Sequence, residues 1–288
     1  MNSVSTQDAA TPLPAEMHAA LARKIESGEI ELPVLPEVAS QVITASMDEA
    51  CDIRKLSTIL NRDQSMAAHV LRLCNSAMYA ASVPIVSLQQ ALSRLGLKRI
   101  REIALLISCE TKVFKVAGFD LRVRALFRHS LAAAAFAQEI ARARRWNVEE
   151  AFLCGLLHDI GRPVLLQTLV DLRKEMDLDV EKEAIEEASR EFHCRVGKDL
   201  AARWNLSDRL IETIEYHHDP EAAPTVSRTA MMTRLADDLA HFALGKDRVA
   251  EEEIREHPMN VPLNMYPDEL EGLIQRRDEI VEMIDKMT

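Results

Sequence analysis

From Ala15 onward, apolar residues return every three to four positions, and no stretch alternates with a period of two for long enough to make a strand. A chain with that rhythm buries its apolar faces by packing helix on helix, so the expected fold class is all-α. Composition agrees with this. Gly is scarce (8 residues), aromatic residues are 4%, and Ala and Leu are abundant, which lowers the cost of helix formation. Hydrophobic residues at 48% and charged residues at 28% are the balance of a soluble globular protein rather than a disordered one. The 288 residues are enough to bury a core.

Punctuation divides the pattern. Residues 1–14, with Pro, Ser and Thr but little to bury, are expected to be a loose tail. Ala20, Leu21 and Ile25 lie on a helix stopped by Gly28, and the prolines of Leu32-Pro-Val-Leu-Pro36 lead into a helix through about Met47. Asp52 is placed to cap Ile53 to Asn61. Met66, Val70, Leu71 and Leu73 mark the next helix, and Ser87 caps one stopped by Gly96. Helices are then expected over Leu97 to Val116, Asp120 to Arg145, Glu149 to Leu157 and Pro163 to Leu172. Val180 to Trp204, Ser207 to His217, Thr225 to Leu244 and Pro267 to Met287 complete the series. Gly118 interrupts the pattern and marks the expected join between halves at 15–117 and 118–248. The segment 249–288, rich in Glu and Lys/Arg, is expected to cover the outside or to meet a partner helix, which leaves a homo-oligomer open.

A net charge of -11 repels phosphate backbones, so nucleic acid is not an expected partner. Ser65 to Ala77 with Leu88 to Arg99 could pass for a helix-turn-helix, and Arg94, Lys98, Arg99 and Arg101 form a small basic patch. Charged helix faces are commonly just solvated, and Asn75-Ser76 reads more naturally as a cap and turn. No apolar run approaches the roughly 18 residues that span a bilayer. The first residues lack the basic start and apolar run of a signal peptide. The expectation is a cytoplasmic protein with no membrane partner. The five cysteines, Cys51, Cys74, Cys109, Cys154 and Cys194, include no CxxC pair and are read as buried free thiols in a reducing compartment.

The strongest chemical signal is Cys154-Gly-Leu-Leu-His-Asp-Ile-Gly-Arg162, where an apolar helix delivers adjacent His158 and Asp159 to its end. Imidazole and carboxylate together suit iron, manganese or zinc. The same pair can instead be a buried hydrogen-bonded couple. His129, His193, His217 and His218 gather on neighbouring helical segments. Each has an ordinary reading: His129 and His193 as core histidines, His217-His218 as a helix C-terminus device. Successive helical residues diverge by about 100°, so His217 and His218 are not expected to ligate one ion through the same face. One could ligate while the other stands behind it, or each could face a different metal.

These residues resemble the HD superfamily of metal-dependent phosphohydrolases, whose ligand order (His, His-Asp, late Asp) is matched by His129, His158, Asp159 and Asp237. The family position is what favours Asp237 over Asp238. The additional His193, His217 and His218 resemble the expanded ligand set of the HD-GYP cyclic-di-GMP phosphodiesterases. Two features depart from that pattern: Arg162 stands where a Lys is usual, and Asp219-Pro-Glu-Ala-Ala-Pro224 replaces the Gly-Tyr-Pro signature.

The upstream half is similar to the HDOD family, the HD-related output domain of bacterial signalling. The similarity is carried by Leu32-Pro-Val-Leu-Pro-Glu-Val38, Leu71-Arg-Leu-Cys-Asn-Ser-Ala77, Gln90-Ala-Leu-Ser-Arg-Leu-Gly96 and Ala151-Phe-Leu-Cys-Gly-Leu-Leu-His-Asp-Ile-Gly161. Asn61-Arg-Asp-Gln64 departs from the family's usual Asp-Pro turn. The resemblance spans about Glu31 to Leu244 and implies a multi-helix HD-type bundle with an N-terminal helical subdomain. It implies a regulatory output or interaction module with a signalling protein as partner, in which the pocket does not turn over substrate. The chain is expected to have no room for an attached receiver domain. The alternative is a metal-dependent phosphohydrolase acting on a cyclic dinucleotide or another phosphodiester, with a divalent Fe, Mn or Zn ion as cofactor. In that case Arg162, Arg195 or Lys198 would meet phosphates.

Overall fold

The computed structural model of the protein describes residues 12–47, 52–75, 85–108, 114–245 and 249–285. Among them every regular element is helical and no strand occurs. The upstream elements are α1 (Ala15–Glu26), α2 (Glu37–Met47), α3 (Ile53–Leu60), α4 (Gln64–Cys74) and α5 (Leu88–Ser108). Then come α6 (Asp120–Arg144), α7 (Val148–Leu157), α8 (Gly161–Glu175), α9 (Lys182–Glu191), α10 (His193–Arg203), α11 (Asp208–Tyr216) and α12 (Ser227–Ala243). The last are α13 (Glu251–Arg255), α14 (Pro267–Gln275) and α15 (Arg277–Asp285). No helix among the described residues is long and apolar enough to cross a membrane.

Local chemistry explains the upstream boundaries. The Asp52 carboxylate accepts from Lys55 N at 2.7 Å and starts α3, and Ser87 Oγ accepts from Gln90 N at 3.2 Å at the head of α5. Gly96, at φ 78° and ψ 166°, is non-helical and separates two helical stretches within α5, the stop that the sequence predicts there. Asn75 exchanges two 2.8 Å hydrogen bonds with the backbone of Ile85, which ties α4 to the approach of α5. The Pro-rich entry is pinned by Trp204, whose Nε1 donates to Pro33 O at 2.9 Å. The expectations for residues 1–11, Cys51, Ser76, Cys109 and the helix end at Met287 lie outside the described residues, as do residues 109–113; the helix expected to reach Val116 does not do so, because 114–116 are not helical.

The long α6 is the axis of the downstream half, with 129–138 buried throughout, and α7 and α12 pack along it. Its Ala132–Ala135 run meets Gly155 of α7 so closely that a Cβ on Gly155 would stand 2.6 Å from Ala133 O. Gly161, at the start of α8, is tighter still: an added Cβ would stand 2.1 Å from His193 O. These two approaches set His129, His158 and His193 side by side. Cys74 and Cys154 are buried free thiols, as the sequence predicts, while Cys194 is only half-buried.

Two expected helices are each broken in two. The span Val180 to Trp204 divides at Phe192, which has φ -110° and ψ 4°. Phe192 packs on the core and its ring meets His18 at 5.6 Å. The break is what puts His193 at a helix start. Pro267 to Met287 divides at Arg276, which pairs with Glu139 and Glu279 rather than continuing the turn. Of the two roles expected for 249–288, the structure displays coverage. Ile254, Leu263, Leu273, Ile280 and Ile284 enter the main core, and α15 lies on α6 and α12.

Candidate metal centre

Seven residues converge where α6, α7, α10, α11 and α12 meet: His129, His158, Asp159, His193, His217, Asp237 and His241. His158 caps the C-terminus of α7, and its Nδ1–H donates to Gly155 O at 2.8 Å. His193 and His217 repeat the device, donating Nδ1–H to Arg190 O at 2.6 Å and Ile214 O at 2.9 Å. A carbonyl oxygen can only accept, so all three imidazoles carry their proton on Nδ1 and turn Nε2 inward. That arrangement is the one a metal-ligating histidine needs.

The inward atoms are close. His193 Nε2 lies 3.3 Å from His217 Nε2 and 3.2 Å from Asp159 Oδ1. His158 Nε2 lies 3.5 Å from Asp237 Oδ1 and 3.9 Å from Asp159 Oδ2. His129 Nε2 donates to Asp237 Oδ1 at 2.8 Å, and His241 Nε2 lies 3.5 Å from the same oxygen. Two donors sharing one ion stand at most about 4.2 Å apart, twice the usual bond length, and all of these spacings meet that limit.

The residues fit a cation on two observations. His158 Nε2 is buried with no hydrogen-bond partner. His193 Nε2 and His217 Nε2 stand 3.3 Å apart with their Nδ1 protons committed to carbonyls, so neither donates to the other, and a shared positive charge suits the pair. His129, His158, Asp159, Asp237 and His241 offer nitrogen and oxygen. Cys194, with Sγ 3.4 Å from His193 Nε2, adds a sulfur to the group of His193, His217 and His218.

The charges explain the titration of each group. Burial disfavours the Asp159 carboxylate, but Arg162, His158 and His193 together hold its pKa well below the usual range. Asp237 is depressed likewise, against burial, by the hydrogen bond from His129 and by the nearby charge of His158. Burial opposes a proton on His158, yet Asp159 and Asp237 outweigh it and raise its pKa to about 9. Burial keeps His193 neutral, and burial plus the neighbouring imidazoles push His217 well down. Burial, with Asp159 and Asp237, pushes the Cys194 thiol up to about 12.

The centre is closed. His129, His158, Asp159, His193, His217 and Asp237 are none of them more than 6% exposed. Arg162 is buried too, and its Nη1 donates to Asp159 Oδ2 at 2.8 Å. A cleft of about 640 Å³ reaches the outermost histidine, His218, and is lined by Asp238, Glu253 and Glu256 as well as Arg234. Of the cations proposed to meet phosphate, Lys198 instead donates to Glu215 at 2.7 Å, and Arg195 stands 60% exposed beside Asp199.

His217 keeps helical dihedrals (φ -64°, ψ -22°), and the rings of His217 and His218 nevertheless come together with centroids 4.1 Å apart. His241 and Cys194 were not anticipated as members. His241 follows Asp237 by four residues, one turn of the same helix, and that spacing is the signal that could have found it.

The family model of the HDOD domain matches residues 32–220. The chain belongs to the HDOD domain family. An HDOD domain protein of unknown function from Geobacter sulfurreducens is 27% identical, with a TM-score of 0.71 over 96% of this chain and 99% of that one. A candidate metal-dependent phosphohydrolase from Shewanella amazonensis SB2B is 21% identical, with a TM-score of 0.73 over 93% and 98%. A candidate signal transduction protein from Marinobacter aquaeolei VT8 is 21% identical, with a TM-score of 0.64 over 94% and 66%. The last two likenesses show the HDOD fold alone. The chain spans about two fifths of the curated relatives it matches, among them a Treponema pallidum protein 22% identical over 71% of this chain and 41% of its own length.

Proposed function

We propose that this HDOD chain is a regulatory output module of a signalling system that binds a signalling protein partner, and that its HD-type pocket is a closed metal-holding centre without phosphodiesterase turnover. One observation carries the reading: the converging ligand atoms are buried, and the Arg162 guanidinium occupies Asp159 Oδ2. A permanent cation on that carboxylate takes part of the charge a catalytic metal would neutralise. The acidic lining of the cleft at His218 disfavours an approaching phosphate. The Marinobacter neighbour, named as a candidate signal transduction protein, lies in the same direction.

His158, Asp159, His193 and His217 would hold the ion, with His129, Asp237 and His241 beside them. A bound divalent ion would supply Lewis acidity and a lowered water pKa. The chain's own residues orient the ligands through Gly155, Arg190 and Ile214 carbonyls and exclude bulk water.

The second reading is a metal-dependent phosphohydrolase acting on a cyclic dinucleotide or related phosphodiester. The near-complete ligand set favours it, as does the name of the Shewanella neighbour. The two readings part on elemental analysis combined with a hydrolysis assay. Protein purified with iron, manganese or zinc supplied should retain metal, lose it in Asp159→Ala, and leave a cyclic dinucleotide intact. Turnover abolished by Asp159→Ala would establish the second reading instead.

A further inference from the structure

His218 differs from the three inward histidines in what holds it. No carbonyl receives its Nδ1. Arg234 Nη1 donates to that nitrogen at 2.6 Å. A guanidinium has no lone pair to offer, so Nδ1 must be the acceptor and the neutral ring carries its proton on Nε2. His218 Nε2 lies 3.2 Å from His193 Nε2, which accepts because its own proton is committed to Arg190 O. His218 therefore brings a hydrogen to the group of acceptors that His193, His217 and Asp159 form.

Arg234 is itself held from outside the centre. Its Nε donates to Asp238 Oδ2 at 3.0 Å, and the same oxygen accepts from His257 Nε2 at 2.9 Å. His257 is buried, and its Nδ1 accepts from Met259 N at 3.2 Å, which leaves Nε2 as the donor. Asn260 Nδ2 donates to Ile254 O at 2.9 Å and fixes the turn that presents His257. His257 lies beyond residues 32–220, the part that matches the family model.

We propose that Arg234, held by Asp238, which His257 of the C-terminal segment holds in turn, is a positioning residue that fixes His218 in the Nε2–H tautomer. His218 is thereby kept out of the metal's coordination, and releasing Arg234 turns it into an additional ligand. The coordination part rests on the metal-holding reading above; the tautomer part does not. The C-terminal segment is then a control element, since whatever shifts His257 loosens the grip on Arg234.

Long-range proton–nitrogen correlation spectra of the metal-free full chain report which imidazole nitrogen is protonated. The wild type should show Nε2–H at His218 against Nδ1–H at His193 and His217. Arg234→Met, which leaves His193 Nε2 as the acceptor that still favours that form, should admit a measurable Nδ1–H population at His218, and Arg234→Lys, which keeps a donor, should retain Nε2–H throughout. Unchanged His158 and His217 signals serve as the check that the variants are folded. An Nδ1–H tautomer in the wild type, or no change in Arg234→Met, overturns the assignment. In calorimetric titration with Zn²⁺, Arg234→Met should bind about tenfold more tightly than wild type, the scale on which outer hydrogen bonds tune metal sites. Equal affinity overturns the control of ligation. Zinc binding by neither protein, with the tautomer change present, overturns the metal-holding reading and leaves the Arg234 assignment standing.

Discussion

Arg162 Nη1 donates to Asp159 Oδ2 at 2.8 Å, one helical turn along and with both side chains buried. The pair opens α8 at the centre of the molecule, and Arg162 Nε and Nη2 have no other hydrogen-bond partner. Asp159→Ala therefore leaves a buried guanidinium without its anion. Loss of about 3–5 kcal/mol is expected in urea unfolding of the metal-free protein. The double variant Asp159→Ala/Arg162→Met should recover much of it, because it removes both charges.

Metal affinity should climb with pH. His158 Nε2 must lose its proton before it can ligate, and Asp159 and Asp237 hold that proton to a pKa of about 9. Each pH unit from 6.5 to 8.5 should strengthen Zn²⁺ binding by about tenfold, as expected for competition with one proton. A flat profile in calorimetry would rule His158 out as a ligand.

The same shift has the opposite sign for the metal-free fold. A histidine whose pKa is raised on folding stabilises fully below its unfolded value, near 6.5, and that contribution is lost as pH rises through about 9. The urea midpoint of metal-free protein should fall over that window, and His158→Gln should flatten the fall.

Gly161→Ala should be severe. Its Cβ would stand 2.1 Å from His193 O and 2.7 Å from Gly197 N, both backbone atoms that cannot swing away. Forcing α8 from α10 should cost at least about 2–3 kcal/mol in equilibrium unfolding and weaken Zn²⁺ binding by moving His193.

Trp204→Phe should cost about 1 kcal/mol, since it deprives Pro33 O of its 2.9 Å donor while keeping most of the buried ring. Thermal unfolding of the variant against wild type reads this directly.

The helical rhythm and the Gly and Asp punctuation made the fold legible, down to the caps at Asp52 and Ser87. His158-Asp159 was legible as a centre because an apolar helix delivers the pair to a Gly break, and Arg162 stood beside it in the same run. The breaks at Phe192 and Arg276 were not legible. Both residues continue a helical pattern locally, and only tertiary partners, His18 with the core and Glu139, stop them. The meeting of His217 with His218 was hidden because the approach of two rings depends on side-chain torsions, which helical spacing does not fix. His241 and Cys194 carried no motif of their own. Their membership follows from the folding of α12 and α10 around His129 and His193.

The most direct measurement is hydrolysis of a cyclic dinucleotide by protein whose bound metal has been verified by elemental analysis. With Arg162 on Asp159 and the ligands buried, the metal-loaded wild type should release no more linear product than a protein-free blank. Sustained turnover that disappears in Asp159→Ala, with metal retained in the wild type, would contradict the closed centre and make the chain a phosphodiesterase.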